Sequence, residues 1–155
     1  FCAWTRPDNR SGNAMYLLSN TFLFDNTGAS DAYSLMISAG RQYRPQARVW
    51  VTGPGGNQDA ETVERSGAIN LNQWTHMCGR FDGNDLRLYV DGNRVDTANL
   101  DGVINANMSP LKIGRCTGGF NNCENNYPFF GRIDEVRIWS RALSDNEIDA
   151  EFDRD

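Results

Sequence analysis

Apolar and polar residues alternate along most of this chain with a period of two, as they do where one face of a strand is buried and the other wet. The pattern is sharpest in Gly131-Arg132-Ile133-Asp134-Glu135-Val136-Arg137-Ile138-Trp139, where charged and branched apolar residues interleave. Strands are predicted at Phe1–Thr5, Met15–Ser19, Tyr33–Ser38, Ala47–Thr52, Glu61–Arg65, Trp74–Phe81, Leu86–Val90, Arg94–Thr97, Leu111–Arg115 and Arg132–Trp139. The turns between them have a mechanism. Asp82-Gly83-Asn84-Asp85 joins two alternating runs, and Asp91-Gly92-Asn93 supplies the positive-φ residues of a tight hairpin. The period breaks at Ser144-Asp145-Asn146-Glu147, a serine followed three residues later by glutamate, which predicts a capped helix start.

Many short antiparallel strands in one domain imply a two-sheet sandwich or jelly roll. At 155 residues, with fifteen glycines and one helical stretch, the chain fits a single such domain. No internal repeat or low-complexity segment divides it. A run of about 18 apolar residues, the minimum for a membrane-spanning helix, does not occur. The net charge of −5 argues against a phosphate-backbone partner, so nucleic acid is excluded. The basic residues are arginines apart from Lys112, scattered along alternating strands as solvated faces.

Four cysteines, at 2, 78, 116 and 123, show no Cys-x-x-Cys spacing and accompany a single histidine, His76. That set suits two disulfides better than a zinc site, and disulfides point to an oxidising, extracellular location.

Two separated motifs carry a resemblance. Trp74-Thr75-His76-Met77-Cys78-Gly79-Arg80-Phe81-Asp82-Gly83, continuing through Leu86-Arg87-Leu88-Tyr89-Val90-Asp91-Gly92, looks like the central hairpin of laminin-G-like domains. The strand, aromatic stop and capped helix of the closing segment resemble the end of laminin-G-like and pentraxin jelly rolls. The resemblance runs from Phe1 to about Phe152 and is loose between Thr21 and Ala68. It implies an all-β, two-sheet antiparallel jelly roll of the concanavalin A-like kind with a short C-terminal helix. It also implies a disulfide: His76-Met77-Cys78 is similar to the pentraxin His-x-Cys strand, and Phe1-Cys2-Ala3-Trp4 to the earlier strand it bonds, giving Cys2–Cys78. Alternation agrees, since Cys2 shares a face with Trp4, and Cys78 with Trp74 and His76. Cys116 and Cys123 remain as the second pair, bracketing a short loop. The family's opening segment, before the strand that Phe1–Thr5 resembles, is missing. Its loss would leave an open sheet edge beside the closing strand, and three accounts follow: the chain is cut, a partner donates the strand, or the sequence covers only part of the domain, with truncated numbering ranked first.

Candidate chemistry is sparse. Glu147-Ile148-Asp149-Ala150-Glu151 resembles the signature of laminarinase-type glycoside hydrolases, whose acids alternate along a strand and converge. After a capping box these residues belong on a helix, where i+2 points away from i and i+4, so convergence fails. His76 lacks a nucleophile elbow to serve and is expected as a strand-packing residue. Pentraxin-like calcium binding is implied in part: Asp31 matches an acidic position, Ala32 replaces an amide, and Asn122 and Glu124 are candidate oxygen donors with Asp31. Trp4, Trp74 and Trp139 are expected to pack in strands. Trp50, Tyr43, Tyr127, Phe129 and Phe130 lie nearer loops, where an aromatic beside Asn and Asp suits stacking on a sugar ring. Asn9-Arg10-Ser11 and Asn107-Met108-Ser109 are glycosylation sequons.

The expected function is extracellular, non-enzymatic recognition of carbohydrate or glycoprotein, with a ligand site at Asp25, Asp31, Asn121, Asn122, Glu124 and Tyr127 and calcium as a possible ion. Two other readings follow: a structural building block packing against copies or partners through its sheet edges, and a laminarinase-type hydrolase.

Overall fold

The computed structural model describes the chain apart from residues 11, 25–27, 39–42, 106–109, 117–126 and 155; residues 21–24 and 28–31 are described as backbone only. Among the described residues, eleven strands and one helix follow in order: β1 (Cys2–Pro7), β2 (Met15–Phe24), β3 (Gly28–Ile37), β4 (Pro45–Thr52), β5 (Gln58–Glu64), β6 (Thr75–Phe81), β7 (Asp85–Val90), β8 (Asn93–Asn99), β9 (Val103–Ile104), β10 (Lys112–Ile113), β11 (Gly131–Arg137) and α1 (Asp145–Phe152). They form two antiparallel sheets, one ordered β11-β1-β6-β7-β8 and the other β10-β2-β3-β4-β5 with β9 beside β4. This is the predicted jelly-roll sandwich.

Period-two patterning builds the core. In β4, Pro45, Ala47, Val49 and Val51 are buried while Gln46, Arg48 and Trp50 turn outward. Leu35, Ile37 and Val63 from the same sheet meet Ala3, Met77, Leu86, Leu88 and Val90 from the other in one cluster. At one side of the sandwich the Glu64 amide of β5 donates to Asp96 Oδ2 of β8 at 2.8 Å. The β7–β8 turn is the predicted tight hairpin: Asp91 and Gly92 have φ of 51° and 75° between paired Val90 and Asn93.

Boundaries differ where local geometry intervenes. The Leu111–Arg115 run contracts to two paired residues, because Gly114 turns to φ 75° and its amide goes to the Leu17 carbonyl. β2 continues past Ser19 to Phe24 through a register irregularity at Asn20/Thr21. β9 is two residues long, too short for alternation to reveal.

The helix forms as its cap dictates. Ser144 accepts from the Glu147 amide, and the Glu147 side chain returns to the Ser144 amide at 2.8 Å. Ile148 is the buried residue of α1 and seats it, with Leu143, over Cys2, Cys78 and Tyr89 on the outer face of the five-stranded sheet. Beneath lies the expected Cys2–Cys78 disulfide, between residues directly opposite in register. Cys116 is also disulfide-bonded and fully buried; Cys123, its expected partner, lies outside the described residues. No helix among the described residues is long and apolar enough to cross a membrane.

Candidate functional site

The outer face of the six-stranded sheet carries two polar rows. Tyr16, Met36, Gln46 and Glu64 line up across β2, β3, β4 and β5, and Ser19, Ser34, Arg48 and Thr62 form the neighbouring row. Here the sheet forms a recess of about 330 Å³ whose lining includes Tyr16, Met36, Gln46, Arg48, Thr62 and Tyr127. The Tyr127 ring stacks on Tyr16 with centroids 6.4 Å apart and walls one side. At the other side Glu64 accepts from Gln46 and, at 2.6 Å, from Arg44. The Arg48 guanidinium lies over the Trp50 ring, 5.8 Å from its centroid. Arg48 Nε and Ser34 Oγ are hidden from water and have no hydrogen-bond partner among the described residues.

Of the predicted ligand set, Tyr127 belongs to this recess. Asp31 lies in β3 opposite Thr21, five positions along β2 from Tyr16 and about 17 Å away at strand rise. Asp25, Asn121, Asn122 and Glu124 lie outside the described residues. Cys116 and Tyr127, the described residues on either side of the last three in sequence, pack with Tyr16 and Met36. Gln46, Arg48, Thr62 and Tyr16 were not anticipated as site residues. Period two, carried one residue before the predicted Ala47–Thr52 strand, puts Gln46 with Arg48 on the wet face and is the signal that finds them.

The chemistry elsewhere is structural. His76 is 3% exposed, packed against Trp4 and Phe152, with Nε2 3.7 Å from Cys78 Sγ. Cys2, His76 and Cys78 bring two sulfurs and a ring nitrogen within 4.8 Å of one another. The sulfurs are bonded to each other and offer no thiolate, so the group is no zinc site. In α1 the acids diverge. Glu147 pairs with Arg141 at 2.6 Å, Glu151 with Arg137 at 2.5 Å and Arg154 at 3.0 Å, and Asp149 faces Gly92 of the hairpin. The Arg141 hydrogen bond, followed by those of Ser144, lowers the Glu147 carboxyl to about 2. That is opposite to what a general acid requires.

The expected strand packing of tryptophans fails at Trp74, which is 43% exposed. It stands on the outer face of the five-stranded sheet, and α1 ends at Phe152 before covering it.

Comparison with known proteins agrees with this architecture. The laminin G family model of the Concanavalin A-like lectin/glucanases superfamily matches residues 1–149. The mouse pentraxin-related protein PTX3 is 28% identical over 159 residues, an alignment spanning 96% of this chain and 37% of that protein. The chain thus spans little more than a third of that relative. The native heptameric SAP-like pentraxin of Limulus polyphemus superposes with a TM-score of 0.61 at 20% identity, covering 96% of this chain and 66% of that one. The CBM40 of the Ruminococcus gnavus IT-sialidase, bound to α2,3-sialyllactose, gives a TM-score of 0.69 at 15% identity over 97% of this chain and 80% of that one. The chain belongs to the laminin G branch of the concanavalin A-like lectin/glucanases superfamily.

Proposed function

We propose that this superfamily member is an extracellular carbohydrate-recognition domain without catalytic activity, binding glycan at the outer face of the six-stranded sheet. The observation carrying this reading is the recess itself. An aromatic pair, Tyr16 and Tyr127, stands beside the amide of Gln46, the guanidinium of Arg48 and the hydroxyl of Thr62, with Arg48 Nε lacking a partner among the described residues. Flat rings beside convergent polar groups suit a sugar, which offers an apolar face and a rim of hydroxyls. Recognition of glycan by the sialidase CBM40 is consistent with it, as is a buried disulfide with an extracellular setting. The diverging, ion-paired acids of α1 favour binding over hydrolysis.

Asp25, Asp31, Asn121, Asn122 and Glu124 extend this reading as the loop contribution, with calcium the ion that Asp31, Asn122 and Glu124 would hold. Among the described residues no group of three or more carboxylates converges as a cation site, and the calcium part rests on donor chemistry. Glycan-array binding with and without chelator tests both parts. Binding is expected to fall in Glu124→Ala and Asn122→Ala, and unchanged binding in both sinks the loop assignment. Loss on chelation supports calcium.

A second reading has its own observation. The outer edge of β11 pairs with no strand among the described residues, and an unpaired edge is a template for association. Native mass measurement separates the two: a monomer that binds glycan excludes a purely structural block.

A further inference from the structure

The outer face of the five-stranded sheet holds a second groove, remote from the recess described above. It has a volume of about 420 Å³ and is lined by Trp4, Trp74, Asp134 and Glu135. Three strands build it. Trp4 of β1 is paired with His76 of β6 on one side and Asp134 of β11 on the other. Trp74 immediately precedes β6, two residues from His76, and so stands on the same face. The helix reaches this face only as far as Phe152, whose ring stacks on Trp4 at 5.7 Å, and leaves Trp74 open.

Asp134 and Glu135 are consecutive residues of β11, and in a regular strand their side chains would point to opposite faces. Here they share a groove. The pairing of β11 with β1 slips between Cys2 and Trp4, so that Ala3 faces two residues, and Glu135 takes φ 47°. This is a bulge, the device that re-aims a side chain in a strand, at a conformation glutamate disfavours. Both carboxylates are held. Asp134 Oδ1 accepts from the Glu135 amide at 2.9 Å, and Glu135 pairs with Arg137, itself fixed at 2.5 Å by Glu151 of α1. The Trp4 indole N–H is hidden from water and has no hydrogen-bond partner among the described residues.

We infer that this groove is a second binding site, for a neutral pyranose ring. It rests on the carbohydrate reading above and adds a site to it. The indole faces supply flat apolar area for the sugar's C–H face. The carboxylates accept hydrogen bonds only, and Asp134 Oδ2 and Glu135 Oε1, the oxygens not engaged by the Glu135 amide and Arg137, match adjacent sugar hydroxyls that can both donate. Glu135 is offset by Arg137, but Asp134 has no cation paired with it among the described residues and leaves a negative charge at the wall that disfavours an acidic sugar, so sialylated glycans belong to the other face, where Arg48 stands.

The test uses a printed array of neutral and sialylated oligosaccharides with the whole chain, Trp74→Ala and Glu135→Gly. Glycine suits φ 47° better than glutamate, so Glu135→Gly retains the bulge while removing the carboxylate. Both variants are expected to melt within a few degrees of the parent and to lose about tenfold in affinity for neutral glycans, equivalent to about 1.4 kcal/mol, with sialylated binding unchanged. Unchanged neutral binding in both variants overturns the groove and leaves the carbohydrate reading standing. Parent binding confined to sialylated glycans does the same. A parent chain that binds nothing on the array ends the carbohydrate reading itself, and the groove with it.

Discussion

Gly131 passes the backbone of Arg6 so closely that a Cβ on it would lie 2.2 Å from the Arg6 carbonyl oxygen and 2.8 Å from the Pro7 Cα. The two residues close the β1–β11 ladder, where Pro7 is paired with Gly131 and the Asp8 amide donates to the Phe130 carbonyl at 3.0 Å. Gly131 also has φ 151°, which side-chain-bearing residues rarely adopt. Gly131→Ala is therefore expected to destabilise by about 2–3 kcal/mol, the range for forced overpacking. The contact is with backbone, so no rotamer change can relieve it. Urea unfolding checks this; a loss below about 0.5 kcal/mol would show that the ladder end can shift aside.

The Cys2–Cys78 bond closes a sequence separation of 76 residues and joins neighbouring strands β1 and β6. In the chain-entropy treatment a loop of that length contributes about 4 kcal/mol through the unfolded state. Cys2→Ala/Cys78→Ala should lower stability by on the order of that amount, with Cys116 left in its own bond. Because α1 seals the sulfurs under Leu143 and Ile148, reduction of the native protein should be slow and should accelerate in Ile148→Ala. Thiol labelling over time reads both effects.

The cap of α1 makes stability acid-sensitive in a defined window. Glu147 is lowered from its ordinary value of 4.5 to about 2 by Arg141 and Ser144. A depressed carboxyl contributes stability that is complete above the unfolded value and is lost as pH falls through the folded one. The contribution should therefore be full above about pH 5 and gone by about pH 2. Melting temperatures of the parent and Glu147→Gln, taken from pH 7 to pH 2, should converge at the acid end. A constant offset across that range would mean that the carboxylate's charge plays no part in the cap.

What was legible in the sequence was what local rules encode. The cap of α1 was readable because Ser144 and Glu147 satisfy each other's amides within four residues. The Asp91–Gly92 hairpin was readable because its φ values demand such residues. The disulfide was readable through a family resemblance, with alternation in agreement. Alternation also placed Gln46 and Arg48 outward, but a face is not a site: the recess exists because Tyr127 folds back onto Tyr16 from more than a hundred residues away. Trp74 was misjudged for a related reason. Its face was read properly as that of His76 and Cys78, but how far the helix covers that face depends on where α1 ends. The bulge at Glu135 has no sequence signature, since nothing in Asp134-Glu135-Val136 announces a positive φ. Asp25, Asn121, Asn122 and Glu124 lie outside the described residues and stay with the proposal.

The recess on the six-stranded sheet makes a prediction separable from folding. Arg48 lies outward over Trp50 with Nε lacking a partner among the described residues, and Thr62 is directly opposite it in register. Arg48→Gln keeps the stem and a polar end but removes the charge and the fork, so stability should move by no more than about 0.5 kcal/mol, as for most surface substitutions. Tyr127→Ala removes the wall that stacks on Tyr16. If glycan docks in this recess, each change removes an interaction made only in the complex, and affinity for the sialylated glycans that the parent binds should fall about tenfold, a loss of about 1.4 kcal/mol. Neither variant touches Trp74 or Glu135, so binding through the opposite sheet should persist in both. Calorimetric titration with the strongest sialylated ligand found on the array, beside far-UV dichroism of each variant, reads affinity and folding separately. Undiminished affinity in both variants would place the glycan off this face, because no ligand seated against Tyr127 and Arg48 could ignore the loss of either.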